Sequence, residues 1–244
     1  IAPSKSQTVE GVVTYHGVAQ QNVDITITTE HGQYPFPAAT NPTGQYSETV
    51  YVYDQCISNN TILVLAEYGG CSNTTTTVQA PGGTTNMPQT DIAPPKSHIV
   101  VGAITYHGAG WENVTIQVST DAGVFPNVTS YAGGVYSAMV DIYECPAGGT
   151  INVTASFNGC VNTTGPVLYT GGMTTVNVDI APPKAHAVTG NVTFHGTLQQ
   201  GANVTITTGA GTYPASTDAL GEYSVDVQIY QCPTDGITVL AEYD

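Results

Sequence analysis

A threefold internal repeat constrains this chain more than any other feature. IAPSKSQTVEGVVTYHG from Ile1, IAPPKSHIVVGAITYHG from Ile92 and IAPPKAHAVTGNVTFHG from Ile180 are three versions of one segment. The copies begin about 90 residues apart, which is too long for a solenoid unit and suits a small independent domain. We therefore predict three domains, the third of them incomplete, over residues 1–91, 92–179 and 180–244.

Each copy has the residue pattern of β-structure. ENVTIQVST and ANVTITT alternate polar and β-branched residues, as a half-buried strand does. Turn sequences such as NPTG, TDAG and PAGG separate the strand-like runs. About seven short strands per copy, with turns every 8 to 12 residues, predict an all-β chain of tandem seven-stranded Ig-like β-sandwich domains.

A short glycine-tyrosine segment recurs before one of the strands, as GQYS at 44–47, GVYS at 134–137 and GEYS at 221–224. With the glycine-bearing first strand and a second strand after Asn-Val, it resembles the prealbumin-like sandwich repeats. These include the carboxypeptidase-regulatory-like and collagen-adhesin B-type domains of surface proteins. The resemblance implies a prealbumin-like β-sandwich serving as a mechanical or adhesive module of a secreted or surface-anchored chain, and not an enzyme.

The charge balance limits the partners. The chain has a formal net charge of −15, with 18 Asp and Glu against only 3 Lys and Arg. Nucleic acids and anionic membrane surfaces require clusters of cations, so we predict no nucleic-acid partner. The sequence has no run of 18 apolar residues, so we predict no membrane insertion. With only 9% charged residues, the surface must be covered by uncharged polar groups or by something attached to them.

The cysteines recur in register. Cys56 and Cys71 are fifteen residues apart, as are Cys145 and Cys160, while Cys232 has no partner at that spacing. We predict one disulfide within each complete repeat, Cys56–Cys71 and Cys145–Cys160, each worth about 3 kcal/mol in the chain-entropy model. The alternative of free or metal-bound thiols lacks the CxxC spacing of zinc sites. Disulfides indicate an oxidising, extracellular location.

N-glycosylation sequons occur more often than chance placement of Ser and Thr would give. There are eight, at Asn59, Asn73, Asn113, Asn127, Asn152, Asn162, Asn191 and Asn203. The pattern NVT makes Asn113 equivalent to Asn203. We predict covalent glycans at several of these positions. The alternative is that Asn and Thr coincide by accident in polar strands.

No residue pattern indicates catalysis, a cofactor or a metal. His98 and His107 lie nine residues apart along one strand, as do His186 and His195, which places the members of each pair on opposite faces. The sequence has neither GxSxG nor HExxH, and no DxDxD run. We therefore predict structural histidines and no catalytic, cofactor-binding or metal-ligating residue. The aromatic residues before the His-Gly pairs (Tyr15, Tyr106 and Phe194) are expected in the core or at an interface.

The only cations, Lys5, Lys96 and Lys184, occupy the same place in each copy. Pro-Pro holds the linker extended between Asp91 and Lys96, and again between Asp179 and Lys184. We predict that the lysine at each junction pairs with carboxylates of both flanking domains and fixes their angle, with Asp91 and Asp179 as junction residues. Each such exposed pair is worth about 0–1 kcal/mol. One alternative is an isopeptide crosslink from Lys to Asn177, where the first copy has Gln89. Another is a solvated lysine.

A stiff junction repeated at a regular interval favours a structural function. We predict an extracellular, glycosylated filament, stalk or surface fibre whose partner is the protein itself, either in a homopolymer or in a longer repeat chain. One variant has the incomplete third sandwich closed by a strand of another subunit. The alternatives are an adhesin that binds carbohydrate or protein, for which Trp111 is a candidate contact, and the non-catalytic accessory repeats of a secreted enzyme.

Overall fold

The computed structural model describes residues 3–35, 39–53, 61–79, 83–169 and 171–243. The first repeat forms β1 (Ser4–Tyr15), β2 (Val18–Ala19), β3 (Asp24–Thr29), β4 (Gly32–Pro35), β5 (Gln45–Tyr53), β6 (Thr61–Tyr68), β7 (Cys71–Val78), β8 (Thr84–Asn86) and β9 (Thr90–Asp91). The second forms β10 (Lys96–Tyr106), β11 (Ala109–Gly110), β12 (Thr115–Thr120), β13 (Gly123–Val124), β14 (Val128–Thr129), β15 (Val135–Ile142), β16 (Thr150–Phe157), β17 (Cys160–Thr163), β18 (Val167–Leu168), β19 (Met173–Thr175) and β20 (Val178–Asp179). The third forms β21 (Lys184–Asn191), β22 (Thr193–Phe194), β23 (Thr197–Leu198), β24 (Asn203–Thr208), β25 (Gly211–Ser216), β26 (Glu222–Ile229) and β27 (Thr238–Glu242).

The all-β fold class is confirmed. Among the described residues the single helical element is one 3-10 turn, Ala132–Gly134. The chain divides into two compact units. One comprises Ile1–His98, Thr120–Gly123 and Asp141–Thr150, and the other comprises Ile99–Ser119, Val124–Val140 and Ile151–Asp244. The division into three domains at the repeat boundaries stays a prediction.

The first unit contains a two-layer sandwich. In one sheet β1 pairs with β2 and β5 in antiparallel fashion, and with β8 and β9 in parallel. The other sheet has the order β4-β3-β6-β7. Val9, Val13 and Val50 of the first sheet share a buried core with Ile27 and Val64 of the second. This core follows from the alternating strands, because every second side chain of each sheet faces the other sheet.

The second unit repeats this arrangement. There β10 pairs with β11 and, in parallel, with β19 and β20. The facing sheet contains β12, β16 and β17. Ile104, Ile116 and Ile151 are fully buried. The third repeat contributes the pair β21-β26 and the sheet β25-β24-β27, with Val204, Ile206 and Val227 as its buried residues.

In every repeat, the threonine that ends β3, β12 or β24 forms hydrogen bonds that connect the two sheets. Its hydroxyl donates to a backbone carbonyl of the opposite sheet and accepts the amide two residues further on. The donated bonds run from Thr29 to Tyr51 (2.9 Å), from Thr120 to Asp141 (2.7 Å) and from Thr208 to Gln228 (2.7 Å). Each bond satisfies a backbone acceptor where the two sheets meet.

The structure corrects the equivalence of Asn113 with Asn203. The residue immediately before β3, β12 or β24 donates its backbone amide to a side-chain hydroxyl. These donors are Val23, Val114 and Ala202. The residues just before these, Asn22, Asn113 and Gly201, have left-handed φ angles of 62°, 60° and 74°. Asn113 is therefore equivalent to Gly201, because Asn and Gly are the residues that best tolerate this conformation. The NVT pattern misled the alignment by two positions.

Candidate assembly site at the histidine turns

The repeated His-Gly pair forms the tip of a tight hairpin. Tyr15 pairs with Val18, so His16 and Gly17 are the two loop residues, with φ angles of 53° and 76°. Two successive positive φ angles are those of a type I′ turn, whose twist matches that of the flanking strands. His107 (52°) and His195 (49°) occupy the same position in the other repeats. A non-glycine residue is uncommon there, although histidine is among the enriched types.

In the first unit the His16 ring lies between two tyrosine rings. Its centroid is 4.0 Å from that of Tyr15 and 3.6 Å from that of Tyr143, with interplanar angles of 19° and 8°. His16 Nε2 lies 2.9 Å from the carbonyl oxygen of Cys145. Because a carbonyl only accepts hydrogen bonds, Nε2 carries the proton and donates. The turn of the first repeat thus contacts a segment of the second.

The second unit contains the same arrangement. The His107 ring lies 4.1 Å from Tyr106 and 3.8 Å from Tyr230, with both interplanar angles at 15°. Its Nε2 donates to the carbonyl oxygen of Cys232 over 3.1 Å. We call each such contact a joint, formed by a His-Gly turn of one repeat and a Tyr-x-Cys segment of the next.

The disulfides close these joints and correct the predicted pairing. Cys71 is bonded to Cys145, and Cys160 is bonded to Cys232, with Cα–Cα distances of 5.8 and 5.6 Å. The predicted pairs Cys56–Cys71 and Cys145–Cys160 are therefore wrong, and Cys232 does have a partner. Cys56 lies outside the described residues. Equal spacing within each copy is equally compatible with bonds inside repeats and bonds between successive repeats, so spacing alone could not decide.

The aspartates at the repeat boundaries bind backbone groups. Asp91 accepts hydrogen bonds from the amides of Gly17 (2.9 Å) and Ala93 (3.3 Å). Its own carbonyl accepts a bond from the Asn73 amide nitrogen at 2.7 Å. Asp179 repeats part of this pattern, accepting from Ala181 at 3.2 Å and from Asn162 at 2.6 Å. Asp91 therefore stabilises the histidine turn through Gly17.

Lys96 pairs with a carboxylate of its own repeat, and the predicted pairing with carboxylates of both flanking domains stays a prediction. Its ammonium group forms an ion pair with Glu144, next to the disulfide-bonded Cys145. Both side chains are more than half exposed, so the pair is worth at most about 1 kcal/mol. In the strand pairing, Lys5 lies opposite Val52 of β5 and Lys184 lies opposite Ile229 of β26.

The isopeptide alternative gains no support from the side chains involved. Asn177 Oδ1 accepts a hydrogen bond from the Ala103 amide at 2.9 Å. Gln89, its counterpart in the first copy, donates to Thr14 at 3.1 Å. Both side chains therefore have other partners.

The predicted glycosylation sites differ in exposure. Asn113, Asn127, Asn191 and Asn203 are exposed, whereas Asn73, Asn152 and Asn162 are half-buried. Asn59 lies outside the described residues. Glycosylation stays a prediction, and Asn73 and Asn162 already use their amide nitrogens at the repeat boundaries.

The remaining candidates show packing roles. His98 is 1% exposed within the sheet. Trp111 packs edge-on against Phe157, with ring centroids 5.6 Å apart, and lies 5.7 Å from Tyr106. Burial raises the pKa of Tyr136, whose hydroxyl donates to the Val176 carbonyl at 2.8 Å. In the part of the chain that the structure describes, no three His, Cys, Asp or Glu side chains come together as a metal site, and no helix is long and apolar enough to cross a membrane.

Sequence reasoning missed Tyr143 and Tyr230, which complete the joints. Tyr-Glu-Cys-Pro and Tyr-Gln-Cys-Pro follow the same strand in two copies. This recurrence was visible, but the contact with a histidine about 125 residues away was not.

Neither a protein-family model nor a curated protein sequence matches the chain. Among solved structures, it is similar to the Bacillus anthracis TIE protein, with 9% identity and a TM-score of 0.44, over 98% of this chain and 45% of that one. It is also similar to two B repeat units of the Staphylococcus aureus collagen binding protein, with 11% identity and a TM-score of 0.33, over 99% of this chain and 69% of that one. A streptococcal ancillary pilin is similar with 10% identity and a TM-score of 0.31, over 98% of this chain and 96% of that one.

The chain thus spans less than half the length of the TIE protein. These neighbours include an ancillary pilin and repeat units of a collagen binding protein. With TM-scores below 0.5, they carry no argument about what the protein does.

Proposed function

We propose that the chain is a structural, non-enzymatic segment of an extracellular fibre in which β-sandwich repeats are locked in succession. The observation that supports this most is the recurrence of one joint. A disulfide and a histidine between two aromatic rings connect the first repeat to the second, and the same groups connect the second to the third.

The joint suits a load-bearing role because it adds a second covalent connection to the backbone linker. The linker residues are themselves held, since Ile92 and Ala93, and likewise Ile180 and Ala181, are buried. A cysteine pair that closes more than 70 residues restricts the unfolded chain strongly. Such a joint resists separation of neighbouring repeats even when one of them opens locally.

The proposed fibre carries glycans on exposed sequons and lies outside the cell. Persistent disulfides form in oxidising compartments, which agrees with an extracellular location. The uncharged polar surface predicted from the composition provides exposed asparagines for sugar attachment. The proposed partner is the protein itself, through further repeats of the same kind.

Electron microscopy of the native material, with intact-mass analysis of the same sample, tests this function. The expected result is filaments with an axial period of one repeat and a mass well above 25.3 kDa per 244 residues. Reduction with a thiol, followed by the same imaging, should weaken the filaments. Short, unassembled particles at the bare polypeptide mass would contradict the proposal.

A further inference from the structure

In the first joint, the aromatic-histidine dipeptide contacts both segments that carry the bonded cysteines. The Tyr15 ring lies edge-on to that of Tyr68, with centroids 5.4 Å apart, and its hydroxyl oxygen lies 4.0 Å from Cys71 Sγ. Tyr68 is directly opposite Cys71 in the pairing of β6 with β7. On the other side, His16 donates to the carbonyl oxygen of Cys145. We call Tyr15-His16 the bridging dipeptide of this joint.

The second joint has a bridging dipeptide of the same kind, Tyr106-His107. The Tyr106 ring lies edge-on to that of Phe157, with centroids 5.6 Å apart. Phe157 is directly opposite Cys160 in the pairing of β16 with β17. His107 donates to the carbonyl oxygen of Cys232. In both joints, therefore, the aromatic residue contacts the segment of one cysteine and the histidine contacts the segment of the other.

The two cysteines of the second repeat lie near opposite ends of β10. Lys96, the first residue of this strand, forms its ion pair with the residue just before Cys145. Tyr106, the last residue, contacts Phe157, which is opposite Cys160. The 11 residues of β10 span roughly 30 Å, whereas a disulfide requires Cα atoms within about 7 Å. The folded repeat therefore excludes the bond between its own two cysteines, which equal spacing along the sequence would allow.

We propose that each bridging dipeptide is a template that determines which cysteines pair, with its histidine as a positioning residue. The repeats fold first, which keeps the two cysteines of one repeat apart. The dipeptide then holds one cysteine from each of two successive repeats close together, so that oxidation locks a contact that already exists. This role concerns how a joint closes, and it is independent of whether the chain builds the proposed fibre.

Exchange with glutathione disulfide closes the first joint in two steps. Cys145 is half-buried and Cys71 is only 2% exposed, so the Cys145 thiolate reacts first. It attacks glutathione disulfide, which forms a mixed disulfide and releases one glutathione. The Cys71 thiolate then attacks the Cys145 sulfur, and the second glutathione leaves. Two protein thiols thus become one disulfide, while one glutathione disulfide is reduced to two glutathione molecules.

Reoxidation of the folded, reduced protein tests the template. The full chain with Cys56→Ser, which keeps four of the five cysteines, is reduced with a phosphine without denaturant and transferred to glutathione disulfide. A peptide map of samples alkylated at successive times gives the closing rates of the first disulfide, Cys71–Cys145, and of the second, Cys160–Cys232. Only these two bonds should form, whereas oxidation of the denatured chain should also give Cys145–Cys160.

The histidine variants should each slow one disulfide. His16→Asn keeps a residue that tolerates the left-handed turn but removes the ring. It should slow closing of the first disulfide about tenfold and leave the second unchanged, because a stacked ring and a hydrogen bond are lost at one joint only. His107→Asn is the matched variant and should slow the second disulfide alone.

Variants of the stacking tyrosine separate the ring from the rest of the joint. Tyr143→Phe keeps a ring against His16 and should close the first disulfide at the unchanged rate. Tyr143→Ala removes that ring and should be about as slow as His16→Asn. Tyr131→Ala, an exposed tyrosine outside both joints, is the control and should change neither rate.

An unchanged rate in His16→Asn, or equal slowing of both disulfides, would overturn the template. A reduced protein without the far-ultraviolet circular dichroism of a folded chain would also overturn it, because the contact must exist before the bond. Where reduced His16→Asn does not fold, the comparison of Tyr143→Ala with Tyr143→Phe decides. Failure of the template leaves the proposed fibre to its own test, the imaging of native filaments.

Discussion

The second and third repeats have the same strand pattern but differ in burial. In β16 alternate side chains are buried, whereas β27 is exposed along its whole length. Ile151 is 0% exposed and its counterpart Ile237 is 39% exposed. His98 is 1% exposed within β10, whereas His186 in β21 is exposed. Sequence similarity between the copies therefore does not extend to their environments.

The difference follows from the strands at the sheet edges. In the second repeat β17 pairs with β16, while β19 and β20 pair with β10. In the third, no described strand lies on the second edge of β27 or of β21. The comparison shows that alternation of polar and apolar residues selects the side chains that can form a core. Their burial also requires the edge strands, which in the second repeat are β17, β19 and β20.

Breaking the covalent link between these two repeats should have the largest effect. We expect Cys160→Ser to lower the free energy of unfolding by about 4 kcal/mol, because the Cys160–Cys232 bond closes 72 residues. Chemical denaturation followed by the fluorescence of Trp111 measures this. Cys232→Ser is the matched control and should have the same effect. A peptide map of the unreduced protein that joined Cys145 to Cys160 would contradict the expectation.

Truncating equivalent positions should lower the free energy of unfolding by clearly different amounts in the two repeats. Ile151→Ala should cost about 3 kcal/mol, since it removes a fully buried side chain and leaves a cavity. Ile237→Ala should cost less than about 1 kcal/mol, because that side chain is already partly in water. Thermal unfolding of both variants provides the comparison. Equal losses would show that β27 is buried in solution.

Gly102 and Gly190, which lie in the first strand of their repeats, should give a smaller difference in stability when they are replaced. A Cβ added at Gly102 would lie 1.8 Å from the Val176 carbonyl oxygen, which is backbone. At Gly190 the nearest atom is the Tyr223 hydroxyl oxygen at 2.6 Å, and a side chain can move aside. We expect Gly102→Ala to cost about 2 kcal/mol and Gly190→Ala much less. Urea unfolding of the two variants measures this, and a reversed order would contradict the assignment of β19 and β20 as closing strands.

Replacing the tyrosines that face these glycines should cost different amounts of stability, and the difference should be about that of one hydrogen bond. Tyr136→Phe leaves the Val176 carbonyl without its partner and should cost about 1 kcal/mol. Tyr223→Phe should be nearly neutral, because the half-buried Tyr223 retains access to water. Denaturation midpoints of the two variants test the difference, and a neutral Tyr136→Phe would contradict the buried bond.

The pH dependence should follow from the same burial. Burial raises the pKa of Tyr136, and likewise of Tyr46, above the ordinary value of 10.0. The neutral phenol thus favours the folded state, so this stability is fully present below pH 10 and declines as the pH rises further. Alkaline unfolding curves of the protein and of Tyr136→Phe measure this. Identical slopes above pH 10 would contradict it.

Much of the fold could be predicted because it depends on local patterns. Alternation in ENVTIQVST corresponds to β12, and the segment GEYS leads into β26. For the joints, the sequence showed some of the participating residues but not which residues contact each other. The His-Gly pairs and recurring cysteines were visible, but their partners lie more than 70 residues away in sequence.

By itself, the sequence determined the all-β class and the threefold repeat, since the two-residue periodicity of strands acts within a few neighbours. Only the tertiary structure decided that Cys71 bonds to Cys145, that Tyr143 covers His16 and that Lys96 pairs with Glu144. Each of these requires atoms from distant parts of the chain to come within a few ångströms. Packing of the sandwiches, and not the spacing of residues along one copy, provides that proximity.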